Sequence, residues 1–369
     1  MEAERDLAGI ALPFAAGVAA VAFYGGLFHT VPQLCLGVAY SCIIMTSALL
    51  LHPTHNAHAP NKIRLAICLC LACCGLLCGL TSEILKVCIP SGRGILEYIG
   101  SSGHAMGKAI DSISFHSRDT NAIIKALLIG DRSDIPTHIT EAFRKSGASH
   151  ILALSGLHLG VIYAIVTKML QFIGNSPWAR VIRSVATVLI CGFYTLATGA
   201  GASITRAFLF ILIGETARLT GRFRSTGTVL MTALLIHLAI IPQDLREAGF
   251  QLSYAAMAGI AFIFPRLNSL WPETSERKPQ PLKWIWNTAA MSISCQITTG
   301  PIAYMYFGTF PAHFLLTNLI ALPLTGIIIP ASLLTLLLDI LGICPPILSR
   351  ASEMLITALS KALETISSM

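Results

Sequence analysis

From His150 to Gly160 the chain reads HILALSGLHLG, and it continues into VIYAIVTKML, an apolar run long enough to enter a bilayer. Ser155 and His158 have the chemistry for three tasks: nucleophile with base, hydrogen bonds across a helix contact, or the wall of a wet passage. With Ser155 set to zero on a helical wheel, His158 lies about 60° away at about 100° per residue. Ala153, Gly156, Gly160 and Ala164 gather on a separate arc. Small residues at that spacing let a neighbouring helix come close in lipid, so Gly156 and Gly160 are read as packing positions. The polar pair is uncomfortable against acyl chains and is expected to face protein or water. An intramembrane serine hydrolase, with His150 or His158 as base, is an alternative. Against it, neighbours three apart on one helix rarely reach the ~2.6–3.2 Å that proton transfer needs, and the chain is read as a non-enzyme.

A second polar group stands in GAGASITRAFLFILIGETAR (199–218). An Arg at mid-depth costs about 2.5–3.5 kcal/mol on insertion scales. Arg206 has no carboxylate nearby in sequence, which points to a lumen or a phosphate-bearing substrate, whereas Glu215 can pair with Arg218 at i,i+3. Gln251 and Ser253 in GFQLSY, Gln296, and Asn318 ahead of Pro323 and Pro330 are further polar positions. Each alone reads as helix–helix glue; together they suggest a wet interior. The three histidines of HPTHNAHAP (52–60) lack a carboxylate or cysteine companion and are broken by prolines, so no metal is expected. GHAMGKA (103–109) has the wrong glycine spacing for a phosphate loop and no Ser/Thr after its lysine. No cofactor and no built-in ATPase are expected.

The elements that must carry these residues follow from composition. Of 369 residues 54% are hydrophobic and 12% charged, about half the charged fraction of soluble domains. Mean hydropathy is +0.71. These values imply an all-α polytopic membrane protein, with about ten transmembrane helices near 8–28, 34–51, 65–85, 150–170, 183–200, 202–219, 226–241, 250–265, 284–306 and 314–338. The seventh and eighth are short and bracket PQDLREAGF, as a broken or re-entrant pair would. Lys and Arg fall in alternate loops, which by the positive-inside rule puts both termini in the cytoplasm. The net charge of +7 is mostly this inside excess and does not by itself argue for nucleic acid. Most of the eleven cysteines lie within spans and read as packing residues; Cys88 is the one placed for a bridge.

Four segments result: 1–92, an N-terminal three-helix membrane segment; 93–149, an external amphipathic helical collar; 150–346, the membrane core; and 347–369, a C-terminal amphipathic helix at the inner surface. In the collar, Ile95, Leu96, Ile99, Gly103, Met106, Ile110 and Ile113 share a helical face. A second helix runs from an Asp119 cap to Gly130, and a third starts near Ser133 and Asp134, carries Pro136 in its first turn and stops at Gly147.

The stretch ALLIGDRSDIPTHITEAFRKSGASHILALSGLHLGVIYAI, followed in order by GASITRAF, GFQLSYAAMAGI and NLIALPLTGIIIP, resembles the ComEC family of bacterial competence membrane proteins over roughly 120–340. The resemblance implies a channel that passes one DNA strand across the bacterial cytoplasmic (inner) membrane in natural transformation. It makes His150, Ser155, His158, Ser203, Arg206, Gln251 and Ser253 the DNA-path positions, with Gly130, Asp131, Gly156 and Gly160 as structural ones. The family's OB-like and metallo-β-lactamase-like domains are not visible here. Expected partners are single-stranded DNA, membrane lipid, a separate motor protein, a DNA receptor, a nuclease and further copies of the chain. The competing non-enzyme reading is a transporter of a small metabolite built around the short seventh and eighth spans.

Overall fold

The computed structural model describes residues 2–28, 67–80, 106–113, 115, 117–221, 225–271, 281–308, 310 and 313–368. The expected second span, Cys88, the histidine loop and the collar face over 93–105 lie outside the described residues. Among those described, every regular element is helical, as the composition requires. The helices are α1 (Glu2–Phe28), α2 (Ile67–Leu80), α3 (106–112), α4 (Arg118–Ile129), α5 (Thr137–Lys145), α6 (Ser149–Leu152), α7 (Gly156–Met169), α8 (Pro177–Ala197), α9 (Ala202–Leu219), α10 (Thr226–Ile240), α11 (Ala248–Ala258), α12 (Phe264–Asn268), α13 (Pro281–Phe307), α14 (Phe314–Ile340) and α15 (Pro346–Ser367).

Among the described residues, four stretches are long and apolar enough to cross a membrane: Gly156–Ile173, Pro177–Ala197, Ala248–Asn268 and Phe314–Ile340. Length and composition among those residues do not establish the expected count of ten. Leu7–Phe23, Ile67–Leu80 and Thr226–Ile240 are apolar but shorter. The expected eighth span is longer than its apolar window suggested. Helix α11 passes through a π turn at Gly259–Ile263 into α12, because Pro265 has no N–H to give the carbonyl four residues earlier and the winding locally loosens.

The chain divides into two compact units, residues 1–91 with 223–261, and residues 92–222 with 262–369. In the first, α1 crosses α2 at Gly17 and Gly75, where an added Cβ would strike the other helix's backbone; glycine at the crossing lets the two chains touch. Helix α10 packs on α1. His237 there bonds Asp244 at 2.8 Å and lies edge-on to Phe250.

The second unit is built on α14. Its buried face (Ala321, Ile328, Ile329, Leu336) joins Ile356, Leu359 and Leu363 of α15, the collar's Ile110, Ile123, Leu127 and Phe143, and Ile151 of α6 in one apolar core. The C-terminal helix packs one face on α14 and α5, because Ile356, Leu359, Leu363 and Ile366 form a stripe at three- and four-residue steps. The collar is likewise stitched in. Ser117 N–H donates to Glu353 (2.9 Å), and Thr317 donates to the Ser146 carbonyl (2.7 Å). Ser117, not Asp119, caps α4, and Gly130 ends it at φ +78°. Helix α5 starts only at Thr137 with Pro136 as its N-cap, and its last residue is Lys145, two short of Gly147. Buried Lys125 bridges Asp111 and Asp134, each at 2.7 Å, and these two carboxylates hold its ammonium pKa above the ordinary value.

Candidate functional site

Helices α7, α8 and α9 pack on one another around Leu159, Ile162, Cys191, Tyr194 and Ile204. Helix α7 also touches α14, and Val161 packs against the α14–collar core while Ile162 belongs to the bundle core. At about 100° per residue, His158 falls between those two, on the seam of the cores. The apolar run entering this bundle does not continue helically from His150. Ala153 is extended (ψ 131°), and Ser155 (φ −122°, ψ 171°) is the N-cap of α7. The wheel that placed Ser155 inside a helix is corrected accordingly.

The two polar side chains close a capping box. Leu157 N–H donates to Ser155 Oγ at 3.3 Å, and Ser155 N–H donates to His158 Nδ1 at 3.1 Å. Histidine here fills the N3 role usually taken by Glu or Gln. Because a backbone N–H can only donate, Nδ1 must accept, and a neutral ring carries its proton on Nε2. His158 is 0% exposed, and its Nε2 makes no hydrogen bond among the described residues. Ser155 Oγ stands 3.0 Å from the same Nδ1. The expectation that neighbours three apart on one helix rarely reach that distance does not apply to this pair, since Ser155 sits at the helix's edge rather than within it.

The other positions are distributed as follows. His150 is exposed on the one-turn α6, with its Nδ1 3.2 Å from the Gly147 carbonyl. Ser203 is half-buried in the first turn of α9, and Arg206, one turn on, is 2% exposed. Gly156 gives close passage to α9, a Cβ there meeting Ala207 Cβ at 3.3 Å. At Gly160 a Cβ would meet nothing within 4 Å, so it faces outward and does not seat a helix. A Cβ added at Gly130 would meet Leu154 Cβ at 3.1 Å, and Asp131 accepts from the Ser133 N–H and hydroxyl. Gln251, bonded to the Leu245 carbonyl (2.9 Å), and Ser253 belong to the first unit. The sequence positions thus divide between the two units, with His150, Ser155, His158, Ser203 and Arg206 in the second.

Nearer the other end of α9, sequence reading saw only half of what is present. Glu215 (2% exposed) does pair with Arg218 at 2.8 Å. It also accepts from the Tyr163 hydroxyl (2.6 Å) and the Ser184 hydroxyl (2.7 Å), while Arg218 reaches back to Tyr163 at 3.0 Å. One carboxylate thereby ties three helices. The signal was a tyrosine and a serine on separate apolar helices, unreadable without knowing which faces meet. No metal-ligating cluster of three or more residues occurs among the described residues.

The comparisons with known proteins bear on this bundle. The chain is 27% identical over 221 residues to ComE operon protein 3 of Bacillus subtilis (strain 168), covering 60% of this chain and 27% of that protein. It is 23% identical over 227 residues to the Uncharacterized protein YcaI of Escherichia coli (strain K12), covering 60% of this chain and 30% of that one. The match spans less than a third of the length of either relative. No solved structure matches. The family described as Competence protein matches residues 127–369, from the second half of α4 to the last residue of the chain. Matched over more than half of its length, the chain belongs to the Competence protein family.

Proposed function

We propose that the chain forms the membrane channel through which single-stranded DNA enters across the bacterial cytoplasmic membrane in natural transformation. The observation that carries this reading is His158, wholly buried at the seam between two packed cores, with a ring N–H directed at no acceptor among the described residues. A membrane helix keeps such a donor only where something polar meets it. Buried Arg206 on the adjoining α9 adds a phosphate-compatible group. Strong sites are few, as translocation requires, because a tightly held phosphate stalls the strand. The motor, the DNA receptor and the nuclease are separate proteins on this reading. Both termini face the cytoplasm, and the relative named for a ComE operon supports the assignment to uptake.

The test is uptake of labelled DNA in a deletion strain complemented with His158→Ala or Arg206→Ala at equal protein level. Each variant is expected to lower uptake several-fold. Full uptake in both removes α7 and α9 from the DNA path.

One observation favours a second reading, a serine hydrolase: Ser155 Oγ stands 3.0 Å from His158 Nδ1. The capping box already accounts for that distance, since the same Nδ1 accepts the Ser155 N–H. A fluorophosphonate probe that labels the protein and fails on Ser155→Ala would favour the hydrolase.

A further inference from the structure

Glu215 fixes the relative heights of three helices. Its carboxylate accepts from Tyr163 of α7 (2.6 Å) and Ser184 of α8 (2.7 Å), and Arg218 of α9 reaches the same tyrosine at 3.0 Å. Helices α8 and α9 run antiparallel, joined by the short 198–201 link. At about 1.5 Å rise per residue, the backbone of Arg183 stands ~1.5 Å and that of Arg180 ~6 Å to one side of Ser184, and Arg218 lies ~4.5 Å to the same side of Glu215. Three arginines therefore stand at one end of the bundle, within about one helical turn.

Their faces converge as well. Arg180 and Arg183 precede Cys191 and Tyr194 by eleven residues, about 20° round the helix. Cys191 and Tyr194 belong to the core that α8 shares with α7 and α9, so both arginines stand on that side of α8. Arg183 marks its border, because Ile190, 42% exposed, falls about 20° to the other side. Beyond Ile190 the exposed stripe of Trp178, Ile182, Val185, Leu189 and Phe193 runs along α8. The cations face little competition from carboxylates. The sequence holds no Asp or Glu from Ala142 to Gly214, and Glu215 is already held by Tyr163, Ser184 and Arg218. Arg180 and Arg183 make no ion pair among the described residues.

A cation at the edge of an apolar, membrane-crossing helix suits a ligand that carries phosphate and hydrocarbon in one molecule. We propose that Arg180, Arg183 and Arg218 hold the phosphate of an anionic phospholipid, whose acyl chains lie along Ile190 and the exposed stripe of α8. Guanidinium forks match phosphate oxygens in geometry and charge. A nucleic-acid strand would satisfy the arginines but gain nothing from Ile190, Val185 or Leu189. A zwitterionic headgroup would bring an ammonium into a crown of like charge. The site rests on α8 crossing the bilayer and not on the passage of DNA.

Native mass spectrometry of the full chain in detergent, titrated with phosphatidylglycerol or with phosphatidylcholine of identical acyl chains, tests it. Wild type is expected to bind phosphatidylglycerol several-fold more tightly, and Arg183→Gln to lose about five-fold in that affinity, the effect of one interfacial cation. Lys168→Gln removes one charge from the same end of the bundle, but Lys168 stands about 180° round α7 from the core residue Leu159. It is expected to bind phosphatidylglycerol as wild type does. Arg180→Gln replaces Arg183→Gln if the latter melts early in phosphatidylcholine. Equal affinity for the two lipids, wild-type binding by the arginine variant, or an equal loss in Lys168→Gln overturns the site. Displacement of phosphatidylglycerol by a single-stranded oligonucleotide assigns the arginines to nucleic acid and overturns the lipid.

Discussion

Ser155 and His158 illustrate how a local bond can outrank a periodic pattern. The apolar run over 150–170 reads as one helix because nothing in it is polar enough to stop it. The box was hidden because histidine occupies N3, where Glu or Gln would have announced the cap. Replacing Ser155 with Ala is expected to cost about 1 kcal/mol, read as a fall in Tm of the detergent-solubilised protein, and Ser155→Asp should retain most of the stability. Gly130 is a position the sequence did disclose, as the stop of α4. Its φ of +78° and the 3.1 Å at which an added Cβ would meet Leu154 predict that Gly130→Ala loses about 1 kcal/mol or more, measured the same way. That His158 Nε2 has no hydrogen-bond partner among the described residues could not be foreseen. A wheel shows which face a side chain takes but not whether a partner waits there.

At the scale of elements, apolar length made α8, α9, α13 and α14 all legible as helices, but of these only α8 and α14 are apolar enough throughout to cross a membrane, because α9 and α13 carry polar residues among apolar ones. What tertiary structure adds is the use of that polarity. Glu215 joins α7, α8 and α9, and its removal strands the hydroxyls of Tyr163 and Ser184. Glu215→Ala is therefore expected to cost about 1–3 kcal/mol for each stranded group. Arg218, largely solvent-exposed, is worth less, about 1 kcal/mol. Equal Tm losses for Glu215→Ala and Arg218→Met would contradict this ranking. Lys125 plays the corresponding part in the collar. Asp111 and Asp134 raise its pKa, so its charge favours the folded state fully below the ordinary lysine value and that contribution disappears as pH climbs past the raised one. Comparing wild type with Lys125→Met by thermal melts from pH 8 to 11.5, the gap in Tm is expected to stay constant up to about 10.5 and then close.

For the whole molecule, the sequence separated collar, membrane core and C-terminal helix, and the structure gathers the collar, α14 and α15 into one core. The bonds that do this join residues 171 and 236 positions apart, beyond what any window along the chain can reveal. This has a consequence for biogenesis. Ile123, Leu127 and Phe143 leave the ribosome long before Ile328, Ile356 and Leu359, the residues that cover them. Late closure of non-local contacts leaves an early intermediate with apolar surface bare, so the nascent collar requires shelter from an insertase or chaperone until synthesis is nearly finished. Chains halted after residue 308 are expected to be cut by trypsin at Lys125 within minutes, while full-length chains resist; equal resistance would mean that the early half matures unaided.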